Sequence, residues 1–88
     1  MADREPRPCD VVMVRANPHL NGGLTEAPAI VTGVGYGDGR WLVNVRVLLD
    51  SSDATPAKVG VPLYTNEEDA DARVPTRTNT HVAWWPQA

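Results

Sequence analysis

Residues 40–49, Arg-Trp-Leu-Val-Asn-Val-Arg-Val-Leu-Leu, alternate between two faces with a period of two. A strand with one buried side has this period, whereas a helix needs apolar residues every three or four positions. The run therefore predicts a β-strand from Arg40 to Leu49. Its buried face would carry Trp41, Val43, Val45 and Val47, and the other face Leu42, Asn44, Arg46 and Leu48.

Residues branched at Cβ are frequent in this chain, with twelve Val, seven Thr and one Ile against six Leu and no Phe. Branching costs rotamer freedom in a helix and suits a pleated sheet. Eight Pro and seven Gly supply frequent chain breaks. Four more short strands are predicted, at 9–15, 29–36, 58–64 and 79–85. Gly37-Asp38-Gly39 predicts a tight hairpin turn between the second and third strands.

Thr65 to Arg73 is the only helical-looking segment. Asn66 would cap it, and the acids that follow would favour the positive end of the helix dipole. Because the segment has no apolar face, it predicts one or two turns lying on the surface. Residues 1–8 mix charges and prolines, which predicts an extended, solvated N-terminal arm.

Eighty-eight residues make one small domain. A flat sheet of this size would leave one face bare, so closure is expected. The prediction is an all-β fold, a small five-stranded SH3-like barrel over residues 9–88, with one short helical turn before the last strand. An OB-like barrel is the second choice. It is less favoured because it usually carries a longer helix between strands three and four. The expected core consists of Val12, Val14, Val31, Trp41, Val43, Val45, Val59, Val61, Val82 and Trp84.

Charge and length exclude several classes. Eleven acidic against eight basic residues give a net charge of -3, without the basic footprint that nucleic-acid binding needs. The apolar runs are far shorter than the roughly 20 residues that span a bilayer, and the N-terminus lacks a signal-peptide core. The single cysteine, Cys9, excludes an internal disulfide and suggests a reducing compartment.

Chemical motifs are weak throughout. Cys9, His19 and His81 lack the paired short spacing of zinc ligands, and the acids of residues 67–71 lack the register of a calcium loop. The glycines of residues 33–39 lie between two strands rather than before a helix, and no motif frames Ser51 or Ser52 as a nucleophile. We therefore expect no enzyme activity, no cofactor and no metal.

The aromatic residues are more informative. Trp84 and Trp85 are adjacent in a strand, so their side chains must point to opposite faces. Trp84 shares parity with Val82 and is assigned to the core, which places Trp85 outside. The alternative is that the N-terminal arm of residues 1–8 or the loop of residues 16–28 folds over Trp85. Tyr64 and Arg46 are also expected to face outward. An exposed Trp is a typical interface anchor. The predicted partner-binding residues are Trp85, His81, Tyr64 and Arg46.

The strand cores resemble those of small SH3-like β-barrel proteins encoded by tailed bacteriophages. The resemblance covers most of the chain from residue 9 onward, although Cys9 stands where a Gly often opens the first strand. The strings that carry it are Cys9-Asp-Val-Val-Met-Val, Pro28-Ala-Ile-Val-Thr, Trp41-Leu-Val-Asn-Val-Arg-Val, Val61-Pro-Leu-Tyr64 and Val82-Ala-Trp-Trp-Pro86.

The resemblance implies a phage accessory or virion protein, with head decoration, head–tail connection or tail attachment as its role, and it brings no catalytic residues. We therefore expect a non-enzymatic protein that docks on other capsid or tail subunits, or on its own copies. It would be located in the virion and assembled in the host cytoplasm, without nucleic-acid or membrane partners. The alternatives are a host-directed inhibitor, or a ligand- or peptide-binding module with a groove between residues 16–28 and 50–57.

Overall fold

A computed structural model describes residues 4–49, 55–76 and 78–86 of the protein. These residues form five strands and one α-helix. The strands close into a barrel in the order β1-β2-β3-β4-β5. The predicted all-β, five-stranded barrel with a short helix before its last strand is confirmed. Within the described residues no helix has the length and apolar character to cross a membrane. The elements are β1 (Val11–Arg15), a 3₁₀ turn (Pro18–Leu20), β2 (Glu26–Gly37), β3 (Arg40–Val47), β4 (Ala57–Tyr64), α1 (Glu67–Arg73) and β5 (Ala83–Trp84).

The predicted turn between β2 and β3 is present. Asp38 and Gly39 both have positive φ, at 54° and 75°, and Gly37 pairs with Arg40 across the turn. Two successive positive φ values are typical of the hairpin turn that matches the twist of its strands. The turn therefore sets the register of the longest strand pair in the barrel.

Asn44 is packed between two β-bulges. The β2–β3 register slips between Val31 and Gly33, and Gly33 lies so close to Asn44 that an added Cβ would be 2.9 Å from Asn44 Nδ2. On its other side the Asn44 Oδ1 accepts the Gly60 N–H at 2.9 Å, and Gly60 has φ 68°. The two bulges bend the sheet where it must curve to close.

The bulge at Gly60 also reverses one expected face assignment. Val43 pairs with Val61, and Val45 pairs with Lys58. Between these two pairs β4 contains one residue more than β3, which is the bulge. Val59 therefore turns outward and is 71% exposed, and its predicted place in the core is wrong. Lys58 takes the inward position opposite Val45.

Strands β4 and β5 run parallel, whereas all other pairs are antiparallel. A parallel pair needs a crossover connection, and α1 is the part of it that packs on the outside of the barrel. Two clusters result. The barrel core contains Val12, Val14, Ala27, Ala29, Val31, Val43, Val45, Val47, Val61, Leu63 and Ala83, and the crossover cluster contains Tyr64, Ala70, Val82 and Trp84.

The crossover cluster corrects the faces predicted for the last strand. Val82 and Trp84 are buried as expected, but they lie on the outer face of the barrel under α1. Ala83 is the residue that faces the barrel core, and Trp85 packs partly against the same core. The helix is less solvated than predicted, because its Ala70 is fully buried. Its cap is as expected, with Asn66 Oδ1 accepting the Asp69 N–H at 2.8 Å.

Several segment boundaries differ from the sequence prediction, including the end of β3 at Val47 rather than Leu49. Three of the differences have a local cause. β1 begins at Val11 because Cys9 has φ 79°, a value that interrupts extended backbone. β2 begins earlier, at Glu26, since Glu26 pairs with Arg15. β5 has only two residues, because the carbonyls of Asn79 and Thr80 accept hydrogen bonds from side chains instead of from a strand.

Two further expectations change. Trp41, predicted for the core, is only partly buried and packs on the core from one end of the barrel. The N-terminal arm is not fully solvated, because Pro6 is buried and the Arg7 N–H is bonded to the Asp10 carboxylate at 2.9 Å.

Val45→Asp is expected to abolish folding, because an unpaired buried carboxylate costs more than the roughly 5 kcal/mol that a small domain has to spare. Val59→Asp makes the same change at an exposed position and should alter the free energy of unfolding by no more than about 0.5 kcal/mol. Urea unfolding followed by tryptophan fluorescence measures both. A folded Val45→Asp variant beside an unfolded Val59→Asp variant would contradict the bulge at Gly60.

Candidate functional site

The four predicted partner-binding residues do not form one patch. Tyr64 points out of the barrel, as parity predicts, but the crossover cluster covers it and leaves it 7% exposed, so its predicted accessibility to a partner is wrong. Arg46 is exposed and pairs with Ala57, at the opposite end of β4 from Tyr64. His81 is exposed, with its Nε2 3.1 Å from the Gly60 carbonyl oxygen. Trp85 is partly buried, so it is not the open anchor that strand parity predicted.

Trp85 is covered by the N-terminal arm. The guanidinium carbon of Arg4 lies 3.8 Å from the centroid of the indole ring. A cation over an aromatic face is attractive because the ring carries negative charge above its plane. The N-terminal arm therefore folds over Trp85, which is the alternative to a fully exposed anchor.

The end of the barrel that carries Trp85 also carries an exposed aromatic pair. Tyr36 at the end of β2 and Trp41 at the start of β3 make an edge-to-face contact, with ring centroids 5.0 Å apart. Tyr36 is 63% exposed and Val34, two residues before it, is also exposed. We call the set Val34, Tyr36, Trp41 and Trp85 the aromatic rim.

Tyr36 was missed by sequence reasoning, although a signal for it exists. It lies between Gly35 and Gly37, which carry no side chains to cover it, and it is directly across the hairpin from Trp41. When the Tyr of a Gly-Tyr-Gly string pairs with a Trp on the neighbouring strand, the two rings contact each other on the same face of the sheet.

A second site lies at the opposite end of the barrel. A groove of about 830 Å³, which we call the basal groove, opens beside the 3₁₀ turn. A smaller cavity of about 140 Å³ shares five of its lining residues. The groove is lined by Arg15, Ala16, Asn17, Pro18, His19, Leu20, Thr25, Thr78 and Thr80, and the small cavity adds Val47, Leu49, Pro56 and Lys58.

Lys58 provides the charge of the small cavity. Its ammonium donates to the carbonyl oxygens of Thr80 and Arg15. Burial disfavours the charged form and lowers the pKa of Lys58 from its usual value of about 10.5. No carboxylate of the described residues lies within ion-pair distance of this ammonium.

Arg15, which sequence reasoning treated only as a strand end, is 2% exposed. Its guanidinium binds the Asp71 carboxylate at 3.0 Å and donates to the carbonyl oxygens of Thr76 and Asn79. Its Nε is buried and has no hydrogen-bond acceptor in the described part of the chain. Arg15 thus fastens the crossover to β1.

The residues weighed for metal or catalytic chemistry are dispersed. Across residues 4–49, 55–76 and 78–86, no group of three or more His, Cys, Asp or Glu is placed to hold a metal ion. Two acids of residues 67–71 form ion pairs, because Asp69 lies 3.6 Å from Arg73 and Asp71 binds Arg15 at 3.0 Å. Ser51 and Ser52 lie outside the described residues.

Comparisons of this chain with protein-family models, with curated proteins and with solved structures found no match. What the barrel does is therefore inferred from its own two ends, the aromatic rim and the basal groove.

Trp84→Ala is expected to lower the free energy of unfolding by roughly 3–5 kcal/mol, because it empties the crossover cluster. Trp85→Ala should cost less, about 1–2 kcal/mol, since its ring is partly in solvent and partly under Arg4. Thermal and urea melts of both variants measure the difference. A larger loss for Trp85→Ala would show that the arm and the barrel core, not α1, stabilise this end.

Lys58 is the only lysine of the chain, so its titration can be followed without ambiguity. Because its folded-state pKa is below 10.5, the unfolded chain holds the proton more tightly between the two values. The contribution of Lys58 to the free energy of unfolding should therefore rise with pH from the folded-state pKa up to about 10.5, and stay level above it. NMR of lysine labelled with ¹³C at Cε gives the midpoint, and the chain in urea is the control. Equal midpoints in the two states would contradict burial of the amine.

Proposed function

We propose that this chain is a non-enzymatic structural or accessory protein of a tailed-bacteriophage particle. It docks on a neighbouring capsid or tail subunit, and the aromatic rim is the surface it uses. Its place is the virion, after assembly in the host cytoplasm, and neither nucleic acid nor a membrane is its partner. The phage assignment is supported by the likeness of the strand cores, and the docking surface by the geometry of the rim.

The exposed Tyr36 is the observation that carries the proposal. A ring that is 63% exposed is costly to leave in water, yet Trp41 holds it in one orientation through the edge-to-face contact. A rigid aromatic side chain loses little conformational entropy on binding, which is why Tyr and Trp dominate interface hot spots. Val34 extends the apolar surface beside it.

Cations border the aromatic rim. Arg4 stacks on Trp85, and Arg40 stacks on Tyr64 with its guanidinium carbon 4.2 Å from the ring centroid. A hydrophobic centre with charged side chains around it is the usual anatomy of a protein interface. The partner surface expected here is a shallow apolar recess edged by carboxylates.

The four residues that the sequence predicts for partner binding have different roles in this proposal. Trp85 stays in the interface as a partly covered member of the rim, and Tyr64 supports Arg40 from below. Arg46 and His81 lie away from the rim, so partner contacts through them belong to a second surface. The host-directed inhibitor remains the alternative, since it would use the same rim on a host protein.

Tyr36→Ala is expected to weaken docking by about 2 kcal/mol, roughly 30-fold, the scale of an interface hot spot, and to leave the fold intact. Val59→Ala is the matched control, because it truncates an exposed apolar side chain outside the rim. Each variant would replace the wild-type protein during infection, and mass spectrometry of gradient-purified particles would measure its incorporation.

The expected result is normal incorporation of Val59→Ala and strong loss of Tyr36→Ala. Equal incorporation of the two variants would show that the aromatic rim is not the docking surface. Absence of the wild-type protein from purified particles would overturn the virion assignment and favour the host-directed alternative.

A further inference from the structure

The small cavity beside the basal groove is lined by Lys58, a cation that has no counter-ion among the described residues. Lys58 is drawn inward by the bulge at Gly60, and its ammonium has two carbonyl partners, Thr80 and Arg15. An ammonium has three N–H donors, so one remains for a further acceptor. Carbonyl oxygens carry no net charge, so the described residues compensate the charge of the half-buried Lys58 ammonium only in part.

A second unsatisfied donor belongs to the same surface. Arg15 lines both the groove and the small cavity, and its buried Nε has no acceptor among the described residues. Buried donors are paired in the large majority of cases, and a missing partner points to a water or a ligand oxygen. Arg15 is paired with Asp71, so Lys58 is the cation of this surface that has no carboxylate partner among the described residues.

The remaining lining is mostly apolar or neutral. No Asp or Glu is among the described lining residues of the groove or the small cavity. Leu20 is one of the most exposed large apolar side chains of the protein and forms part of both walls, and Leu49 and Pro56 lie at the small cavity. Concave apolar walls with a few polar groups are the usual form of a small-molecule site.

We propose that the basal groove binds a small carboxylic acid with an aliphatic tail, its carboxylate bonded to Lys58 and its tail lying against Leu20 and Pro18. The carboxylate supplies an acceptor and a negative charge that the described lining residues of the small cavity do not provide. A monoanion fits better than a phosphate, because a dianion would cost far more to remove from water in so apolar a setting. This site is separate from the aromatic rim.

The test uses octanoate as the probe and the sole lysine as the reporter. With lysine labelled with ¹³C at Cε, octanoate should shift the single Lys58 signal saturably, together with the amide signals of Ala16, Leu20 and Thr80. Octanol, which has the tail without the charge, and acetate, which has the charge without the tail, should each bind at least about tenfold more weakly. Amide shifts report on all variants, including those that lack the lysine.

Two variants and one control separate the site from a general charge effect. Lys58→Gln keeps a donor for Thr80 but loses the charge, and Leu20→Asn changes the exposed wall without touching the core. Each should weaken octanoate binding at least about tenfold. Arg46→Gln removes an exposed cation outside the groove and should leave it unchanged.

Three outcomes would overturn the proposal. Octanol binding as tightly as octanoate would show that the charge is not recognised. Acetate binding as tightly as octanoate would mean an adventitious ion only. Tighter binding of a short peptide with an apolar C-terminal residue would assign the groove to a protein terminus rather than to a small acid. Failure of this test would leave incorporation through the aromatic rim unaffected, because the two ends are probed independently.

Discussion

The barrel is closed by a crossover that the buried guanidinium of Arg15 holds in place. β4 and β5 run parallel, so the chain must pass over the outside of the barrel between them. Arg15 on β1 binds Asp71 of α1 and the carbonyls of Thr76 and Asn79 beyond the helix. With the crossover fastened, a strand of only two residues is enough to pair with β1 and β4.

That closure gives the last strand two buried faces. One face packs Ala83 against the barrel core, and the other packs Trp84 under α1 beside Tyr64. The small domain thereby gains a second apolar cluster outside its barrel, which matters because an 88-residue chain buries a limited core. The two ends of the barrel carry different surfaces, the aromatic rim at one end and the basal groove at the other.

Much of the fold could be predicted from alternation and turn residues. The pattern of β3, the Gly37-Asp38-Gly39 turn and the Asn66 cap are local features, and each is present where it was expected. The site was less predictable. Arg15 and Lys58 contact residues far away in sequence, such as Thr76, Asn79 and Thr80, and no local pattern contains those contacts. Tyr36 contacts Trp41 across the hairpin turn, so a local signal for it does exist.

The sequence alone determined that this chain forms a small all-β barrel with one short helix before its last strand, because strand period, turn residues and capping residues act over a few positions. Tertiary structure decided which faces are inside. A one-residue bulge at Gly60 exchanged Val59 for Lys58, and a helix packed outside the barrel buried Tyr64 and Trp84. The alternation along a strand divides its side chains between two faces of the sheet. It does not determine which segment covers each face, because that segment can come from any part of the chain.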